Sequence, residues 1–240
     1  NMGKVKIKRK STLIDMTAMS DVTVLLLTFF MLTSTFLQKE PVTVLTPSSV
    51  SEIKVPTANV AQVLVSPEGK VFLSIAGEAD PNVAGGEWGS EQIRKEILRK
   101  AVSKYNELHP GKKVTLTEKD VEVFSKLGTF GVPFQALPTF LRMSQTEQDK
   151  VISDMTRNDV GIPINDNKDL SKLNEFQIWM RAIYDSGNEN LTSAMKKGEG
   201  IAVKADKDTP YSTVQHVLDN LQTLKMNRFS LMTALKTEND

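Results

Sequence analysis

A carboxylate stands inside an apolar run long enough to cross a lipid bilayer. Asp21 lies within Met16–Leu37, MTAMSDVTVLLLTFFMLTSTFL, about 22 residues or roughly 33 Å as a helix. An aspartate in a hydrocarbon core costs about 2.5–3.5 kcal/mol, so a chain that keeps one there sets it against protein or water. The chemistry open to it in that setting is binding and releasing a proton. The competing reading has Asp21 near the membrane surface, reaching interfacial water or helping to start the helix. It lies too far past Asp15 to act as a cap.

The other polar residues of the run sharpen this. Thr17, Asp21, Thr28 and Thr35 are spaced four, seven and seven apart, which puts them on one narrow helical face. Leu25 and Leu32 fill the gaps, while Val22, Leu26, Phe29, Phe30 and Leu37 occupy other faces. Lipid offers such a seam no hydrogen bonds, so it calls for a partner surface. A threonine hydroxyl can also satisfy itself on the carbonyl four residues back. The coincidence of the threonines with Asp21 carries the argument for a polar, hydratable path.

Charge orients the run. Lys4, Lys6, Lys8, Arg9 and Lys10 give the first ten residues five cations and no acid; against a chain total of +1, residues 11–240 are left at −4. Positive charge just before a span keeps the short tail in the cytoplasm and sends the bulk of the chain across. An uncleaved anchor is expected rather than a signal peptide, given the aspartate, the length of the run and the lack of a small-residue cleavage site. The remainder of the chain has no basic patch with interleaved aromatics, so nucleic acid is not an expected partner. The chain has no cysteine and two histidines, His109 and His216. Thiol chemistry and cysteine-based metal sites are excluded, and no metal or cofactor is expected. His109, before Pro110-Gly111, reads as a turn residue and His216 as a helix-boundary residue. With no G-x-S-x-G elbow either, an enzyme is not the expected reading.

The rest of the chain must position these residues. From Gln38 to about Asn59, Pro41, Pro47 and Pro56 exclude a helix. Val42, Val44, Ile53 and Val55 alternate with polar residues, as in a tether or an extended segment able to add as a strand to a partner. A hairpin is predicted from Ala61–Ser66 and Val71–Ile75 around Pro67-Glu68-Gly69-Lys70. Ser90 is expected to cap a helix to about Asn106, burying Ile93, Ile97, Ala101, Tyr105 and Leu108. A compact insertion at about 111–169 is read as a strand at Val114–Leu116, a helix opened by Thr117 and Asp120, and short helices after Pro133 and Thr146. Leu173, Phe176, Trp179, Met180 and Ile183 form a core stripe. Then come a strand at Gly200–Lys204, a helix capped by Thr209 with Pro210 in its first turn and Asn227 near its end, and a strand at Phe229–Thr233. Strand, helix, strand at that spacing makes a βαβ unit with parallel strands. The expected fold is a single N-terminal transmembrane helix plus an α+β domain with a mixed sheet. Residues 1–11 form the tail, 12–38 the transmembrane helix, 39–60 the linker and 61–240 the domain.

Two stretches carry a family resemblance. Ile14–Ser34, IDMTAMSDVTVLLLTFFMLTS, resembles the membrane segment of the ExbD/TolR biopolymer-transport family, which places one aspartate after an I-N-x-T-P-x-x-D-V-like lead-in. Ile201–Thr233 is similar to the family's closing strand–helix–strand, with Asp206-Lys207-Asp208-Thr209-Pro210-Tyr211 as its acidic turn. The resemblance implies a non-enzymatic subunit of a proton-driven inner-membrane motor with its domain in the periplasm. It implies a dimer held within a ring of ExbB/TolQ-like polytopic partners, energising a TonB- or TolA-like protein that reaches the outer membrane. Asp21 would be the protonatable carboxylate and Thr17 the lead-in threonine. The family's proline is Ala18 here, and the domain is enlarged. The alternative is a TolR-like scaffold that binds the cell wall and uses the helix only as an anchor.

Overall fold

The computed structural model describes residues 16–33, 58–78, 89–206 and 208–233. Thr35, Val42, Val44, Ile53 and Val55 lie outside the described residues, as does the basic tail. The chain divides into two units, Asn1–Leu37 and Gln38–Asp240. The first holds helix α1, Met16–Thr33, 18 residues long, about 27 Å against a hydrocarbon core of about 30 Å. Among the described residues no helix is long and apolar enough to cross a membrane.

In the second unit, β1 (Val60–Val65) and β2 (Val71–Ala76) form the expected hairpin, antiparallel with Val65 opposite Val71. Gly69 closes the turn with φ of 78°, a left-handed conformation that suits glycine. β1 is apolar almost throughout and nearly all buried, as a strand covered on both faces must be. On its other side runs β4 (Ile201–Ala205), parallel, and β5 (Ser230–Thr233) lies parallel to β4. Helix α8 (Tyr211–Thr223) makes the crossover, so the βαβ unit is present as expected. A two-residue strand, β3 (Thr129–Phe130), pairs antiparallel with β2 and completes the mixed sheet, in the order β3-β2-β1-β4-β5.

Helix α2 (Ser90–Leu108) buries Ile93, Ile97, Leu98, Ala101 and Tyr105, with Leu108 partly covered. Its N-cap is Gly89, not Ser90. The Ser90 hydroxyl instead accepts from the Gly77 amide at 2.9 Å and donates to the Gly77 carbonyl at 2.7 Å, tying the end of β2 to the helix. At the far end of the sheet, Pro210 rather than Thr209 occupies the N-cap of α8. Thr209 donates to the Val65 carbonyl at 3.3 Å, a bond to β1 that takes the hydroxyl from the helix.

The stretch expected as an insertion shares the domain's core. Helices α3 (Glu118–Ser125), α4 (Leu137–Leu141) and α5 (Gln145–Ser153) appear near their expected starts, α3 and α5 each opened by a capping box. No strand forms at Val114–Leu116. The Asn106 side chain takes both hydrogen-bonding groups of Val114, accepting from its amide at 2.7 Å and donating to its carbonyl at 2.8 Å, and so stands in for a neighbouring strand. Phe124, Phe130 and Phe134 close around Trp179 of α6 (Glu175–Tyr184), and all four are buried. A further helix, α7 (Glu189–Lys197), has no counterpart in the sequence expectations; it buries only Leu191 and Met195, too few to mark a periodic stripe.

Candidate functional site

Asp21 sits in the second turn of α1, and its helix is continuous to Thr33. Thr17, Asp21 and Thr28 therefore share one face, as their spacing requires. Every side chain from Met16 to Leu32 is exposed in this chain, with Leu25 at 62% and Leu32 at 82%. An exposed apolar surface of this extent marks an interaction site for another protein or a membrane.

The hydroxyls of the helix are turned inward to its backbone. Ser20 donates to the Met16 carbonyl, Thr23 to Met19 and Thr28 to Val24, each at 2.8 Å. This is the self-satisfying geometry open to threonine in any helix. It commits the proton of Thr28 and leaves its oxygen lone pairs as acceptors along the seam. No hydrogen bond joins Asp21 to another side chain among the described residues, so its carboxylate is free to meet water or a partner group.

In the domain, several ionisable groups are committed to structure. Asp120 is buried and accepts from the Thr117 amide at 2.9 Å and the Arg142 guanidinium at 3.0 Å; the bond to Arg142 holds its carboxyl below the usual range. Burial pushes the Glu175 carboxyl up, although it accepts the Phe134 amide at 2.8 Å. Burial also lowers the proton affinity of Arg94, which donates to the carbonyls of Ile75 and Ser125 and joins β2 to the end of α3. His109 follows α2 and stacks on Tyr105, and exposed His216 meets Asp166 at 2.5 Å. Among the described residues no three His, Asp or Glu side chains converge to hold a metal ion.

Residues 8–126 match the family model for ExbD, described as biopolymer transport protein ExbD/TolR. Over those residues the chain carries an ExbD/TolR family domain. No curated protein and no solved structure matches the chain. The ExbD/TolR match takes in α1 with Asp21, the hairpin, α2 and α3. It ends before β3, so α4 to α8 and the closing strand–helix–strand lie beyond it. Even so, β4 of that closing unit pairs in register with β1 of the family-matched hairpin, Val203 opposite Val63.

Proposed function

We propose that this ExbD/TolR family member is an ExbD-like subunit of an inner-membrane motor, in which Asp21 carries protons whose flow energises transport. In this reading the helix extends past the ends of α1 and crosses the bilayer with the basic tail in the cytoplasm. The domain stands in the periplasm. The observation that carries the proposal is the position of Asp21 as the one charged residue on the exposed, largely apolar helix α1. The family match over the same residues supports it.

The mechanism needs no covalent step. Facing low-dielectric surroundings, Asp21 is neutral and holds its proton; facing a hydrated path, it ionises and releases it. Thr17, Thr28 and Thr35 line one side of that path. A ring of ExbB/TolQ-like polytopic subunits would enclose the helix together with that of a second copy. Two Asp21 side chains in unlike surroundings could then load and unload in alternation. The domain passes the resulting movement to a TonB- or TolA-like partner, with the segment containing Val42, Val44, Ile53 and Val55 as a contact.

Asp21→Asn tests this, because it removes the charge and keeps the shape. Membrane insertion and recovery of a polytopic partner in mild detergent should be unchanged, while transport driven by the proton motive force is lost. Normal transport by the variant would sink the proton-carrier reading and leave a TolR-like anchored scaffold.

A further inference from the structure

Three hollows on the domain lie in series, neighbours sharing lining residues, and are taken together as a trough. The first, about 350 Å³, lies between α2 and α6; the second, about 320 Å³, lies between α6 and the end of α8; the third, about 260 Å³, lies between that end and α7. The first two share Leu170, Arg181 and Asp185, and the last two share Tyr184, Lys225 and Met226. Six cations line the whole: Lys100, Lys104, Arg181, Lys196, Lys225 and Arg228. Asp185 is its one acid, although residues 11–240 are net negative. The floor is apolar, with Leu170 45% exposed beside partly covered Tyr184.

Lys225 carries the argument furthest. It ends α8 with φ of 61°, in the left-handed region. Its amide donates to the Gln222 carbonyl at 2.8 Å and the Met226 amide to the Leu221 carbonyl at 2.9 Å. These are the two bonds of the helix-ending motif whose left-handed position is usually glycine. A side chain with a Cβ is strained there, and outliers of this kind cluster where a site needs the side chain. Lys225 lines the second and third hollows and makes no ion pair among the described residues. Folding alone would favour glycine at this position.

We propose that the trough docks an acidic peptide segment of a partner protein, carboxylates on the cationic rim and apolar side chains on the floor. A planar bilayer does not fit a concave surface, and a purely anionic polymer would leave Leu170 uncovered. All the lining residues except Lys100 and Lys104 lie beyond the family-matched stretch, so the site belongs to this chain's enlarged domain.

The test uses the full chain in detergent and a labelled synthetic peptide of alternating glutamate and leucine, with binding read by fluorescence anisotropy. Binding is expected, weakened by salt because rim charges are screened. A matched lysine–leucine peptide, oligoglutamate and anionic vesicles should bind far less. Lys225→Gly combined with Arg181→Gln should weaken the peptide by roughly tenfold, the effect of two partly screened ion pairs. Lys225→Gly alone should weaken it severalfold while leaving the melting temperature unchanged or higher, which separates lost contact from lost fold. Absence of binding, equal binding of the lysine–leucine peptide or of oligoglutamate, or affinity unaltered in both variants would overturn the proposal. None of these outcomes bears on Asp21, because the assay involves no proton-driven activity.

Discussion

Phe134 lies flat on Trp179, ring centroids 4.9 Å apart and planes within 7°. That stack makes the middle of the chain inseparable from the core, because Phe134 precedes α4 and Trp179 is the buried centre of α6. The indole Nε1 is buried with no hydrogen-bond partner among the described residues, a state that costs about 1–3 kcal/mol. Trp179→Ala should therefore destabilise by about 3–5 kcal/mol through the cavity it leaves. Trp179→Phe keeps the stacking and removes the unpaired N–H, so its cost should stay under about 1.5 kcal/mol. Chemical denaturation of the two variants checks the contrast; equal losses would mean that a stacked ring restores nothing at this site.

Asp120 gives the domain an acid-sensitive clasp between α3 and the end of α4. Its folded-state proton affinity is depressed, chiefly by Arg142. The stabilisation is thus present above the ordinary carboxylate range, near pH 4, and fades as pH falls through the lower folded value. Asp120→Asn should cost about 1–2 kcal/mol at neutral pH, on the scale of a lost cap. Melting curves of variant and parent should converge in acid. A gap that stays constant down to strongly acidic pH would show that the charge contributes nothing.

Much of this fold was legible because its signals are local. The hairpin follows from apolar runs flanking Pro67-Glu68-Gly69-Lys70, and the capping box at Thr117 is written within four residues. The misread points are those where a distant group displaces a local one. Ser90 is taken by Gly77, Thr209 by Val65, and Val114 by Asn106. The parallel pairing of β1 with β4 joins strands far apart in sequence, so no local spacing announces it. The proposal for Asp21 rests on its surroundings in the sequence. The trough was not legible, since its cations come from α2, α6, α7 and the stretch after α8 and meet only in the folded domain. One signal was available: Lys225 follows the apolar stripe of α8 where a glycine is usual.

Thr28 separates a hydroxyl that builds the helix from one that serves the path. Its donor is committed to Val24, so a path can use only its oxygen as acceptor. Thr28→Val keeps the shape and removes that acceptor, which should lower proton-driven activity about fivefold, the worth of roughly one hydrogen bond. Helix content should be unchanged, and Thr28→Ser should restore activity. Full activity in the valine variant would leave the hydroxyl with no task beyond its own helix.

The segment between α1 and β1 is proposed as a strand that adds to a partner edge. Val42 and Val44, and then Ile53 and Val55, alternate with polar residues as a half-covered strand does. A strand needs an acceptor edge, and β5 offers one: among the described residues it pairs only with β4, and Leu231 on it is 45% exposed. A segment from a second copy or a partner could add there, main-chain bonds giving affinity and alternate side chains specificity. A solvated tether is the competing reading, since proline and serine make such a stretch extended and contact-free. Photo-crosslinkers placed one at a time from 42 to 45 and from 53 to 55 in cells distinguish the two. Strand pairing should give strong products at 42, 44, 53 and 55 and weak ones between, because successive side chains point to opposite faces. Uniform, weak labelling along the segment would reduce it to a tether.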